Sequence, residues 1–359
     1  MKRLSLIAIA ILFCAGCGII GNGEAASLGA EGRESAQPAA GGGKYVTVYT
    51  ARHYAADTAL FEAFTKKTGI RVVEVKGTAQ ELVDAMAREG EQSDADLFFT
   101  VDGGVLSEAT RSGVLQPLRS DLVDANVPQA LRDPEHYWVG VTTRARVIVY
   151  AKDRVKPEEL STYESLTDER WRGRVLVRSS SNLYNQSLLA SFIALRGEEW
   201  AGRWAEGVAA NLARPPEGGD REQAMAVAAG IGDAAIMNTY YVGQLSASDN
   251  PEEARATEGL GVFFPDQKAG GTHINISGIG LARHAKHAAD ALKLVEYMTS
   301  EEGQTQLSRE SFEFPVNERA EVPELLKSWG SFKGQRIDFA DLGSYNKQAL
   351  DLFRRAGWS

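Results

Sequence analysis

Tyr240 and Tyr241 stand side by side in the run Asn238-Thr239-Tyr240-Tyr241. A third tyrosine follows a histidine at His53-Tyr54, and a fourth lies in Asn182-Leu183-Tyr184-Asn185-Gln186-Ser187. Phenolate oxygen is a hard anionic donor, so it suits a hard, highly charged cation such as Fe3+ better than Zn2+ or Cu+, which prefer nitrogen and sulfur. A free phenol ionises only near pH ~10, so a bound cation must drive off the proton it replaces. Four phenolates overbalance a trivalent ion by about one negative charge, a shell that favours Fe3+ over Fe2+. A neutral histidine would add a fifth donor. Such chemistry requires the four rings to converge.

The elements that must position them alternate between strand and helix. Tyr45 to Tyr49 reads as a strand, followed by a helix from about Ala56 to Lys67 with Leu60, Phe61 and Phe64 on its apolar face and Gly69 as its stop. Ile70 to Val75 is a second strand, Ala79 to Arg88 a second helix and Asp96 to Val101 a third strand. Such alternation places parallel strands between layers of helix. Val147 to Tyr150 and Ile274 to Leu281 are strongly apolar, β-prone stretches, read as strands that carry the chain from one lobe to the other and back. Between them lie strands at Val175 to Val177 and Ala234 to Met237, and a long helix bearing Trp200, Trp204 and Val208. A helix from about Ala285 to Thr299 follows the second crossing. His53-Tyr54, Tyr184 and Tyr240-Tyr241 each follow a strand, and ligands of open α/β sheets sit beyond the carboxyl ends of strands. Adjacent residues at a strand end point in different directions, so two ligands from one Tyr-Tyr pair demand an irregular backbone.

Composition narrows the alternatives. The chain has 359 residues and a net charge of −9, which argues against nucleic acid as a partner. Lys2 and Arg3, an apolar run from Leu4 to Phe13 and then Cys14-Ala15-Gly16-Cys17 read as an export signal. Ala15-Gly16-Cys17 resembles the bacterial lipobox, whose cysteine is lipidated; Cys14 departs from it where leucine is usual, and ordinary cleavage is the alternative. Both cysteines lie in this segment, so disulfides and thiolate metal sites are excluded from the folded part. Residues 18–44, rich in Gly, Ala, Ser and Glu, read as a flexible tether.

Seven stretches together are similar to one family: Arg52-His53-Tyr54, Arg144-Ala145-Arg146-Val147-Ile148, Leu160-Ser161-Thr162-Tyr163, Ser179-Ser180-Ser181-Asn182, Asn238-Thr239-Tyr240-Tyr241, Gly261-Val262-Phe263-Phe264-Pro265 and Gly271-Thr272-His273. They resemble the ferric-iron-binding proteins that serve bacterial ABC transporters, and most closely the branch that holds iron with several tyrosines and one histidine. The resemblance spans nearly all of Tyr45 to Ser359. It implies an α/β, two-lobed periplasmic binding protein fold (type II), each lobe a mixed sheet flanked by helices, with a two-strand hinge. The lobes would be 45–143 with 275–320, and 144–274 with 321–359, after a signal peptide at 1–17 and the tether. By position, the resemblance makes His53, Tyr54, Tyr184, Tyr240 and Tyr241 the metal ligands and puts Arg52 close behind them. Leu183 and Gly103-Gly104 depart from the usual pattern.

The function this implies is capture of ferric iron between the lobes and delivery to an ABC permease, by a monomer in the periplasm or on the envelope exterior, lipid-anchored through Cys17. Some members of the family use a synergistic anion such as carbonate. Ser179-Ser180-Ser181-Asn182 is open to two readings, a helix N-cap or a site for that anion. The alternative function is a binding protein of the same fold for an oxyanion or a polyamine. No enzyme is expected, because the chain has no nucleophile elbow, phosphate loop or cysteine nucleophile. Arg144 and Arg146 are expected to make ion pairs across the lobes. His136, His273, His284 and His287 are expected to be structural or surface residues.

Overall fold

The computed structural model describes residues 43–359; the signal peptide, Cys17 and all but the end of the tether lie outside the described residues. From its first strand the chain alternates as the pattern demands. β1 (Tyr45–Thr50), α1 (Ala55–Thr68), β2 (Arg71–Lys76), α2 (Ala79–Glu89), β3 (Leu97–Thr100), α3 (Gly103–Arg111), β4 (Leu115–Gln116) and α4 (Asp121–Asn126) build a first half. A long strand, β5 (Trp138–Ala151), leaves it. The second half comprises β6 (Val175–Leu176), α5 (Leu183–Arg196), α6 (Glu198–Ala210), α7 (Asp220–Ala228), β7 (Ala234–Asn238), α8 (Thr239–Ser246), α9 (Pro251–Glu258) and β8 (Leu260–Phe263). Strand β9 (Ile274–Ala282) returns to the first half, which adds α10 (Ala288–Thr299), α11 (Glu301–Ser311) and β10 (Phe314–Pro315). The tail carries α12 (Glu324–Ser328), α13 (Phe339–Ser344) and α14 (Asn346–Arg355).

Strand order is β2-β1-β3-β9-β5-β7-β6, with β4 on β9 and both β8 and β10 on β5. β1 is parallel to β2 and β3, whereas β9 runs antiparallel to β3 and β5, so the sheet is mixed. The two crossing strands carry both halves. β5 pairs with β9 from Trp138 to Ala145, then with β7 from Arg146 to Tyr150. A strand that changes partner midway joins the two groups of strands.

Each half has its own apolar core. In the first, Val46, Val48, Leu97 and Phe99 of the strands meet Leu60, Phe61 and Phe64 of α1 and Leu294, Val295 and Met298 of α10. Lys66 and Lys67 favour the carboxyl end of α1, and Gly69 ends it in the left-handed conformation at φ 72°. In the second, Trp171, Phe192, Trp204 and Trp358 pack into one aromatic cluster. The expected helix with Trp200, Trp204 and Val208 is α6, and Gly197 (φ 86°) separates it from α5.

The tail serves both halves. Ala349, Leu352, Phe353 and Trp358 join the second core, while Phe339 and Leu342 of α13 join Trp138, Ile276 and Leu106 of the first. This explains Gly103-Gly104. A Cβ on Gly103 would stand 2.6 Å from Phe339 Cβ, and one on Gly104 would stand 2.5 Å from the backbone nitrogen of Gly343. Bulk at the start of α3 is incompatible with that close approach.

Candidate metal centre

Three helix N-termini converge on the space between the halves, and each delivers tyrosine. Tyr54 is the residue before α1, in extended conformation (φ −88°, ψ 138°). Tyr184 lies in the first turn of α5, whose N-cap Asn182 accepts a hydrogen bond from the Tyr184 backbone N–H at 3.0 Å. Tyr240 and Tyr241 lie in the first turn of α8. Helix, not strand, is the backbone that lets adjacent tyrosines work together here: their rings lie 4.3 Å apart, tilted by 37°. The positive ends of helix dipoles also favour a phenolate over a phenol.

The phenol oxygens form a chain. Tyr240 Oη lies 3.2 Å from Tyr54 Oη and 3.2 Å from Tyr184 Oη. Tyr54 comes from the first half and the other two from the second, so the chain bridges the cleft. Tyr240 is 1% exposed and sits at its centre. Burial first, then repulsion between neighbouring phenolates, pushes Tyr54 and Tyr240 well above the ordinary phenol range; Tyr241 is raised for the same reasons. Without a cation the cluster is therefore neutral and hydrogen-bonded to itself. It ionises only if something strongly positive replaces the protons.

Cations surround the cluster. The Arg52 guanidinium lies 4.7 Å from the centre of the Tyr54 ring, and Arg144 and Arg178 lie 5.5 and 5.6 Å from that of Tyr184. The Arg178 charge also acts on Tyr241, pulling back its raised pKa. Arg52 is wholly buried. Nε and Nη2 donate to the two oxygens of Asp57 at 2.8 Å each, Nη2 donates to Glu313 at 3.0 Å, and Nη1 donates to Ser277 Oγ. Burial works against the Arg52 charge, but Asp57 and Glu313 outweigh it and raise the guanidinium pKa further. This network fixes the loop that carries His53 and Tyr54.

His53 is placed differently. It is exposed, its ring lies 4.9 Å from that of Tyr54, and among the described residues its imidazole has no hydrogen-bond or ion-pair partner. The other expected site residues meet within the phenol chain and its surroundings. The described residues contain no group of three His, Cys, Asp or Glu side chains suited to a metal.

Two expectations about neighbours need correction or completion. Arg144 and Arg146 do not make ion pairs across the halves. Arg146 is buried within the second half, donating to Asp220 at 3.1 Å, Asn238 at 3.0 Å and Asn185 at 2.6 Å. Arg144 donates to the carbonyl of Val101, and among the described residues it has no carboxylate partner. Both sit on β5 where it changes partner, so burial there selects neutral oxygens and one local carboxylate over a long-range pair. In the serine run, Asn182 caps α5, and Ser179 and Ser181 hydrogen-bond each other at 2.9 Å. His273 is structural: Nδ1 lies 3.0 Å from Gln335 Oε1, and burial lowers its pKa to about 3. His287 pairs with Asp96 at 3.0 Å.

Several residues around the site were not singled out in the sequence. Asp102, Arg178, Ser187, Asp220 and Glu313 carry no motif of their own. Only their spacing from a tyrosine or an arginine already noted, such as Ser187 one turn beyond Tyr184, could have marked them.

A two-lobed fold with a phenol-lined cleft defines a solute-binding protein of the periplasmic type. The chain belongs to the bacterial extracellular solute-binding protein family, whose model matches residues 93–341. Among curated proteins it is 43% identical over 313 residues to iron uptake protein A1 of Synechocystis, covering 87% of each chain. It is 26% identical to the major ferric iron-binding protein of Neisseria meningitidis, over 87% of this chain and 92% of that one. Among solved structures, a Trichodesmium protein (IdiA, FutA) in complex with iron and citrate superposes with a TM-score of 0.83 at 44% identity, over 88% of this chain and all of that one. The Campylobacter jejuni ferric binding protein superposes with a TM-score of 0.82 at 38% identity, over 88% and 100% of the two chains. These relatives are named for uptake and binding.

Proposed function

We propose that this protein is an extracytoplasmic carrier that captures Fe3+ in the cleft between its halves and hands it to an ABC permease. Tyr54, Tyr184, Tyr240 and Tyr241 bind as phenolates, and His53 supplies a neutral fifth donor as the cleft closes. Arg52 holds Tyr54 in place and offsets part of the negative charge. The observation that carries this reading is the chain of phenol oxygens joined at 3.2 Å across the two halves. Oxygen donors at that spacing, with raised proton affinity and no carboxylate among them, suit a small trivalent cation. The names of the relatives agree. An oxyanion or polyamine ligand is not favoured: a polyamine needs cleft carboxylates, and the relatives are named for ferric iron.

Iron bridging the halves would hold them shut, and docking on a permease would release it as they part. The lobe boundaries at 143/144 and 274/275, the anchor at Cys17, a monomeric state and an accompanying anion such as carbonate belong to the same reading. Visible absorption tests it. Adding Fe3+ should give a purple-red phenolate-to-iron charge-transfer band that reduction bleaches. Colourless protein with iron present at saturating concentration would end the proposal.

A further inference from the structure

Below the phenol cluster one carboxylate ties the halves together. Asp102 precedes α3 in the first half and is 1% exposed. Its Oδ1 accepts the backbone N–H groups of Gly104 at 2.7 Å and Val105 at 3.2 Å, capping α3. Its Oδ2 accepts from Asn275 Nδ2 at 2.6 Å and from Ser187 Oγ at 2.6 Å. Asn275 lies on the crossing strand β9, and its own Oδ1 accepts from the Gly103 N–H at 3.1 Å, so this side of Asp102 is fixed to the hinge. Ser187 belongs to the second half. It sits on α5 three residues after Tyr184, one helical turn along the same face.

The Ser187 hydroxyl has two acceptors and one proton. Besides Asp102, the carbonyl of Leu183 lies 3.0 Å away, the backbone partner that a helical serine ordinarily takes. When the halves part, the proton can turn to Leu183 and no donor is left unsatisfied. When they close, it turns to a buried carboxylate, the shorter and charge-assisted bond. Such a group has two discrete arrangements and favours one of them only in the closed form.

We propose that Asp102 and Ser187 form an interlobe latch, a pair of positioning residues that binds no iron and biases the cleft toward closure at the Tyr184 side. The proposal rests on the iron-carrier reading for its purpose, not for its geometry. A hydrogen bond present only in the closed state shifts the closed population by its differential strength alone, so the effect is modest and specific.

The test is Ser187→Ala, which removes the crossing bond and leaves the α3 cap and Asn275 in place. Alanine is at least as good a helix former as serine, so thermal stability without iron should not fall. With Fe3+ the charge-transfer band should keep its position, because no donor changes. Iron release to a competing chelator should be roughly fivefold to tenfold faster. The radius of gyration of the iron-free variant, from solution scattering, should exceed that of the iron-free wild type. A release rate and a radius both equal to wild type would overturn the latch, as would a lowered melting temperature with an unchanged release rate. If neither protein takes the colour, the iron reading fails and the radius alone decides on the latch. If both take it, the release rates decide.

Discussion

The two halves contribute to the cleft in different ways. The second half brings Tyr184, Tyr240 and Tyr241 on the first turns of two helices, with Tyr240 sealed from solvent and the Arg178 guanidinium over the Tyr184 ring. The first half brings His53 and Tyr54 on a short loop, one exposed and the other resting against a buried arginine. Secondary structure fixes the first set; a single ion-pair network fixes the second. A binding protein that must both hold and let go gains from this division. On the proposed reading, the half with three oxygens would be a preformed seat, and the half with two donors would complete it on closing.

Tyr240→Phe should break the seat outright. The phenylalanine ring keeps the buried packing, but the oxygen that joins both sides of the cleft is lost. Iron affinity should fall by more than about a hundredfold with the fold intact by circular dichroism, more than the loss from outer-shell changes at metal sites. By contrast, Tyr54→Phe should leave a weaker but coloured complex on the second half. Equal, complete loss in both variants would mean that neither half is a site on its own.

Acid should open the same contrast from the proton side. Phenols pushed above their ordinary range are protonated without metal at all ordinary pH, and each must lose its proton to bind. Binding therefore releases protons, and affinity falls as pH falls, by about one decade per pH unit for each phenol ionised. Titrating loaded protein downward from pH ~7 should bleach the band before circular dichroism reports unfolding. Colour retained until the protein unfolds would remove the phenols from the binding step.

Arg52→Met probes the other half. The change strands Asp57 and Glu313 in the interior with no cation between them, and breaking a buried pair costs about 3–5 kcal/mol. Asp57 already has its pKa raised by burial, with Arg52 pulling it back, so loss of the arginine should drive uptake of a proton. Calorimetry should show a lower melting temperature, with part of the loss recovered at acid pH where the carboxyls are neutral. An unchanged melting temperature would mean that the first-half loop is held by something other than this network.

How much of this was legible in the sequence follows from what each feature depends on. β1, α1, β2 and α2 fell within a residue or two of their predicted bounds, because period and stop signals are local. The convergence of Tyr54, Tyr184 and Tyr240 was legible as a shared position after strands, since chain topology puts strand ends on one side of a sheet. The helical setting of Tyr240-Tyr241 was not, because Thr239-Tyr240-Tyr241-Val242 is β-prone and only the strand ahead of it makes a turn obligatory. The partners of Arg144 and Arg146 were illegible for another reason: Asp220, Asn238 and Val101 come from three separate segments, and no spacing along the chain announces them. Gly103-Gly104 looked like a neutral departure until α13, more than two hundred residues later, turned out to pack on it.

His53→Ala is the smallest of the expected effects and the finest measure of the asymmetry. His53 lies outside the phenol chain, exposed, with the Tyr54 ring against it. A neutral donor of this kind adds no charge to the shell, and its ordering on binding offsets part of what its bond contributes. Chelator competition should show a loss of about tenfold or less, below that of any tyrosine, and the charge-transfer band should shift in position because a nitrogen donor has left the iron. A loss as large as that of Tyr240→Phe would place His53 on equal terms with the buried oxygens and end the distinction between seat and closing half. An unmoved band with unmoved affinity would take His53 out of the ligand set and leave the first half with one oxygen alone.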